Sequence, residues 1–264
     1  MLTVALGALI GLVLALTGAG GGVLAIPLLV FGLHLPVQQA APVGLLAVGL
    51  ASALGAALAL RQGMVRYRAA ALIGVAGMLL APVGVMLARH IPNRPLLGAF
   101  ALVLVYSAWR MLRKPSLAGA EPISIPCLVS PMDHRLTWTL PCARALAGTG
   151  LISGLMSGLL GVGGGFVIIP ALTRYTDLDP RSIQFTSLAV IALVSFSGVT
   201  AAALQGSIAW AIAAPFALGA VLALLGGRLV ARQLDPKRLQ QAFAWFTLTV
   251  ALLMLARATG WLAV

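Results

Sequence analysis

The chain has 264 residues, 61% of them hydrophobic and 8% charged, a net charge of +12 and a mean hydropathy of +1.07. A soluble domain carries about 25% charged residues, so a water-soluble globular fold is excluded. Nucleic acid is excluded as a partner too, because the basic residues fall in short connections between apolar runs and form no basic stripe interleaved with aromatics.

The composition instead predicts an all-α integral membrane protein whose first partner is the lipid bilayer, built from spans of roughly 20 apolar residues. In chain order, the apolar segments are 2–33, 37–60, 69–89 and 95–112. A connector follows over 113–144, with Pro115, Pro122, Pro126, Pro131 and Pro141 breaking any regular structure. Four more apolar segments then run over 145–173, 180–204, 208–230 and 237–257, with Gln205, Gly206 and Ser207 dividing one long uncharged run in two. Asp179-Pro180 and Asp235-Pro236 read as helix N-caps followed by proline at the first helical position. Met1-Leu2-Thr3 lacks the basic start of a signal peptide, so the first segment is expected to stay in the mature chain. Cys127 and Cys142 have only His134 near them and no CxxC spacing. They are expected to be two ordinary thiols, with no metal site and no cofactor.

The segments repeat at an offset of 143. GLVLALTGAGGGVLAIPLL at 11–29 meets GLMSGLLGVGGGFVIIPAL at 154–172, with ten of 19 positions identical. The offset continues without a gap, so that Gln62-Gly63 falls on Gln205-Gly206 and Ala88-Arg89 on Ala231-Arg232. The expected organisation is a first membrane repeat over 1–112, a proline-rich linker over 113–144 and a second repeat over 145–264.

The first segment of each half is longer than one span and is interrupted by glycines. These are Gly18, Gly20, Gly21 and Gly22 with Pro27 in the first half, and Gly161, Gly163, Gly164 and Gly165 with Pro170 in the second. Each glycine costs a helix about 0.8–1.0 kcal/mol relative to alanine, and proline removes a further backbone donor. A helix break is predicted at both GxGGG runs. The outer pairs Gly7/Gly11 and Gly154/Gly158 are expected only to let helices approach closely. A break inside a membrane is tolerated where it is buried or lines a wet cavity. The half-helix that starts there would turn free N–H groups and a positive dipole end toward an anion.

Charge then suggests how the halves are oriented. If the first segment of each half enters and leaves on one face, each half crosses three times and the halves are inverted. One face then holds 14 of the 17 basic residues, and the other holds only Arg89, Arg94 and Arg257. The rich face is expected to be cytoplasmic, with both termini outside.

The GxGGG-x4-P pattern, carried twice on two four-segment halves, resembles the sulfite exporter TauE/SafE family, and the resemblance covers nearly the whole chain. It also falls on Thr186-Ser187, where the first half departs with Val43-Gly44. The resemblance implies transport of sulfite, sulfonates or related small anions through the bacterial inner membrane. It adds Thr186 and Ser187 to the glycines and prolines above as substrate-binding residues. Thr17, Ser153, Ser157, Gln184, Ser195, Ser197 and Thr200 also lie within or beside apolar runs. Each of these hydroxyls, taken singly, is expected to bond its own helix backbone.

No acid or base lies deep in any segment. The five acids sit in connections, which argues against an enzyme and against a cation carrier. Efflux assisted by membrane potential needs no such group. A carrier of another small anion, such as a carboxylate, and a membrane assembly protein are the alternatives. Assembly with further copies of the chain stays open.

Overall fold

A computed structural model of the protein describes residues 1–17, 21–112, 127, 138–231 and 236–258. Ten helices account for nearly all of them: α1 (Leu2–Thr17), α2 (Gly21–Gly32), α3 (Val37–Arg61), α4 (Tyr67–His90), α5 (Asn93–Leu112), α6 (Leu140–Leu160), α7 (Gly165–Tyr175), α8 (Pro180–Leu204), α9 (Trp210–Ala231) and α10 (Pro236–Ala258). The protein is an all-α integral membrane protein. Among the described residues, five stretches are long and apolar enough to cross a membrane: Val37–Arg61, Tyr67–His90, Leu140–Leu160, Pro180–Leu204 and Trp210–Gly227.

Helix α4 shows how such a chain packs without a polar face. Its small residues Gly77, Ala81, Gly84 and Ala88 lie inward, while Val75, Leu79, Val83 and Met86 are exposed on the opposite side. The bilayer supplies an apolar surface for the large side chains, so helix contact is decided by how closely backbones can approach. Gly150, Gly154 and Gly158 of α6 lie against Ile73, Gly77 and Ala81 of α4, where an added Cβ would meet a backbone carbonyl each time. Gly7 and Gly11 of α1 lie against Phe216 and Ala220 of α9 in the same way. An offset of 143 turns Ile73–Gly150 and Gly77–Gly154 into Phe216–Gly7 and Ala220–Gly11. The close-packing role expected of Gly7, Gly11, Gly154 and Gly158 is thus what the structure shows.

These pairings set the helix directions. Residue numbers rise together along α4 and α6, so the two are parallel. Helices α4 and α8 are parallel as well, joined by Arg66 N–H to Thr186 Oγ1 at 3.1 Å, Ser197 Oγ to Met78 O at 2.8 Å and Arg89 Nη1 to Gln205 Oε1 at 3.1 Å. Since α6 and α8 run the same way, α7 between them brings the chain back to the face where α6 began. Helices α3 and α8, at matching positions of the offset, run antiparallel, with Leu45 beside Gly198, Gly49 beside Ser195 and Gly55 beside Leu188. Inverted halves require that relation.

One face carries the connections 62–66 and 176–179. The other carries 33–36, 91–92 and 205–209, with the start of α3 tied to 91–93 by Val37 N–H to Asn93 Oδ1 and by Gln38 Nε2 to Ile91 O, both at 3.0 Å. Arg66, Arg174 and Arg181 lie toward the first face, and Arg89, Arg94 and Arg257 toward the second, where Arg257 Nη1 donates to Val30 O at 3.3 Å.

Two expectations about the linker are corrected. Helix α6 begins at Leu140, not at 145, because Thr139 Oγ1 accepts from Cys142 N–H at 3.3 Å and Pro141 occupies the first turn, where its missing N–H costs nothing. Cys127 and Cys142 are not free thiols but a disulfide, with Cα atoms 5.0 Å apart and both residues 0% exposed. What brings them together is tertiary: Cys127 N–H donates to Tyr175 O at 3.2 Å, and the residue bridges in parallel to Thr176 beyond the end of α7. The rest of the linker over 113–137 lies outside the described residues, as does Asp235, while α10 starts at Pro236 as expected. Asp179 caps α8 as expected, accepting from Arg181 N–H at 3.1 Å and Ser182 N–H at 3.4 Å.

The disulfide lies on the arginine-rich face, and if that face is cytoplasmic, as the positive-inside rule leads one to expect, its surroundings are reducing. Thiol trapping in intact cells is therefore expected to find Cys127 and Cys142 reduced, and air-exposed purified protein to show them joined. A disulfide trapped in intact cells would place the arginine-rich face outside.

Candidate functional site

The site forms where the first segment of the second half breaks. Helix α6 stops at Leu160 because Gly161 takes the left-handed conformation (φ 70°, ψ 18°), its N–H donating to Ser157 O at 2.8 Å. Gly163 (φ 77°) and Gly164 (φ 74°) are left-handed too. Glycine alone adopts three such conformations in four residues without a steric penalty. Space also requires it: a Cβ on Gly163 would lie 2.8 Å from Ile191 Cγ2, and one on Gly164 would lie 2.8 Å from Ser153 O. The chain then re-enters a helix, with Val167 N–H and Ile168 N–H donating to Gly164 O at 3.0 and 3.2 Å. The earlier N–H groups of this first turn have no acceptor within the helix, and they carry the positive end of the α7 dipole.

The turn sits deep in the molecule. Gly163 touches Val48 near the middle of α3 and Ile191 near the middle of α8. The first half reaches the same place: Gly22, near the start of α2, lies against the carbonyl of Val162, and its neighbour Gly21 packs on Ile10 and Leu14 of α1. The two glycine runs therefore meet at the crossing of α3 and α8. Gly21, Gly22, Gly161, Gly163, Gly164 and Gly165 all belong to this region, whereas Gly18 and Gly20 lie outside the described residues. Pro27 and Pro170 fall within the bodies of α2 and α7, beyond the turn itself.

Hydroxyl groups divide sharply here. Ser153 and Thr200 bond their own helices as expected, and Ser187, expected as a substrate-binding residue, does so too, its Oγ donating to Gln184 O at 2.7 Å. Ser197 instead reaches across to α4, and Thr186 accepts from Arg66 N–H, so Thr186 ties α8 to the start of α4 at the arginine-rich end. Thr186 and Ser187 precede Ile191, the α8 residue that touches Gly163, by five and four positions. Ser52, Ser157 and Ser195 are 0% exposed, and their Oγ atoms have no hydrogen-bond partner among the described residues. A buried hydroxyl left unpaired costs about 1–3 kcal/mol, which calls for an explanation. Ser195 Oγ lies 3.6 Å from where a Cβ on Gly163 would sit, beside the turn. Ser157 supplies the carbonyl that receives the Gly161 N–H.

Ser157 and Ser195 were visible in the sequence but were assigned backbone bonds, and Ser52 was not singled out. A signal was present: Ser52 and Ser195 fall on each other at the offset of 143 within otherwise apolar segments. The arrangement offers backbone N–H groups, a helix dipole and hydroxyl donors in a buried setting. It suits a small anion that sheds its water.

The chain is similar to known membrane transporters. The family described as Sulfite exporter TauE/SafE matches residues 3–254. A "Probable membrane transporter protein" of Xylella fastidiosa is 28% identical over 264 residues, covering 98% of this chain and 95% of the relative. Another protein of the same description, from Methanocaldococcus jannaschii, is 26% identical over 204 residues, covering 75% of this chain and 70% of the relative. No solved structure matches the chain.

Proposed function

This chain belongs to the sulfite exporter TauE/SafE family, and on that premise we propose that it exports sulfite, sulfonates or related small anions across the bacterial inner membrane, binding them at the paired glycine turns. The observation that carries this reading is the buried Ser195 hydroxyl, without a hydrogen-bond partner among the described residues, beside the left-handed Gly163 and next to the start of α7. The α7 N-terminus attracts negative charge, and Ser195 donates a hydrogen bond to it. Gly21 and Gly22 bring the start of α2 to the same anion from the other half. Glycines serve the site twice, since they permit the turn and let the anion approach the backbone.

The driving force follows from charge. One elementary charge moved through 100 mV is worth about 2.3 kcal/mol, so a monoanion distributes about 50-fold across such a membrane, and a dianion more. An interior-negative potential pushes the substrate outward without a coupled ion. In proteoliposomes loaded with sulfite or methanesulfonate, imposing an interior-negative potential is expected to accelerate efflux, and collapsing the potential with an ionophore is expected to slow it. Flux that ignores potential but follows a pH gradient would replace electrogenic efflux with proton coupling. No flux from folded protein would remove the substrate class.

A further inference from the structure

A cavity of about 490 Å³ opens near the arginine-poor face and is lined by both halves. Gln38 and Gln39 from the start of α3, Arg89 from the end of α4 and Ser207 from the α8–α9 connection supply its polar groups. Gly158, the residue after Ser157 on the last turns of α6, also lines it. So does Ala41, the residue against which Gly161 packs. The cavity therefore ends beside the glycine turn, with Ala41 between them.

We propose that this cavity is the vestibule through which the anion passes between the glycine turn and the arginine-poor face, and that Arg89 is the residue that selects negative charge there. The inference rests on the function proposed above and extends it to the path by which the anion leaves. Among the described residues lining the cavity, Arg89 is the one ionised group, and no carboxylate opposes it. A guanidinium has five N–H donors in a planar fork suited to two oxygens of one oxyanion. Two of the five go to Gln205: Nη1 to Oε1 at 3.1 Å, and Nη2 to the backbone O at 3.5 Å. Gln205 is a positioning residue, and it is one of the glutamines that recur at the offset of 143. It holds one side of the fork and leaves donors for the ligand. The fitting ligand is a small oxyanion, such as a sulfite, sulfonate or carboxylate group, that presents two or more oxygens to one guanidinium. Apolar neighbours such as Leu45 and Val85 in the same wall weaken the competition from water for that contact.

The test is concentration-dependent flux of sulfite and methanesulfonate in proteoliposomes, at low and at high inert salt. For the wild type, KM is expected to rise with salt, because a partly exposed guanidinium is screened. For Arg89→Gln, KM is expected to rise about tenfold at low salt, to exceed any change in maximal rate, and to lose its salt dependence. Arg89→Lys should recover part of the affinity as a point charge without the fork, and Gln205→Ala should raise KM by about threefold. Arg89→Gln with the wild-type KM and salt response would overturn the vestibule while leaving transport standing. A wild-type KM that is indifferent to salt would overturn it without any variant. No flux from the wild type would remove the underlying transport reading, and this inference with it.

Discussion

Ser195→Ala is expected to abolish most anion flux while leaving the protein as stable as before, or slightly more so. Ser195 is 0% exposed, and its hydroxyl has no partner within the described chain. Burying that group unpaired costs about 1–3 kcal/mol, so alanine relieves a penalty instead of breaking a bond. A bound anion would lose a charge-assisted hydrogen bond worth about 1.5–3 kcal/mol, roughly a 10- to 150-fold loss of affinity. Ser197, two residues on, supplies the opposite signature. Its Oγ donates to Met78 O across the α8–α4 contact, so Ser197→Ala should lower the melting temperature while flux per folded molecule persists. Measuring melting temperature and flux on both variants separates a binding hydroxyl from a packing one. Wild-type flux and KM in Ser195→Ala would remove this hydroxyl from the site.

Gly154→Leu is expected to prevent the protein from folding to a monodisperse state. A Cβ at this position would run into the backbone of Gly77, and neighbouring Gly158 and Gly150 are held equally tightly against Ala81 and Ile73. Overpacking of side chains costs about 1–3 kcal/mol, and here the obstacle is backbone, which cannot change rotamer, so the cost is expected at or above that range. Helix α4 would be lifted from α6, and α6 carries the glycine turn. Gly11→Leu should behave alike, since Gly11 meets the carbonyl of Ala220 in the corresponding contact of α1 with α9. Gly148→Leu is the control, because an added Cβ there meets nothing within 4 Å and a better helix former replaces glycine. Thermal unfolding and size-exclusion yield in detergent read out all three. A wild-type melting temperature for Gly154→Leu would show that the crossing is looser than its geometry.

Both predictions turn on differences between residues of one type, which marks where sequence reading stopped. Gly154 and Gly163 are both glycines in one apolar segment. Spacing alone separated the packing pair from the GxGGG run, because four glycines within five residues weaken a helix locally, wherever it sits. Asp179 was legible for the same reason: a cap is made within one turn of its own helix. Ser187, Ser195 and Ser197 look alike in sequence, yet one bonds its own helix, one has no partner among the described residues and one crosses to α4. Their partners come from chain that is distant in number, which no local pattern encodes. Cys127 and Cys142 met the same limit, since their closure depends on how the linker lies against the end of α7.

Composition and periodicity by themselves determined that the chain lives in a bilayer, that its helices recur at a fixed offset and that glycine interrupts the first segment of each half. These properties depend on how each stretch of chain interacts with lipid and with itself. Only the tertiary structure decided that α7 returns to the face where α6 began, that the two glycine runs meet at the crossing of α3 and α8, and that Ser195 stands beside the turn while Thr186 accepts from Arg66 N–H. Those outcomes were set by the close approach of backbones at Gly77–Gly154 and its counterpart Ala220–Gly11, a contact between surfaces that becomes visible once both helices are in place.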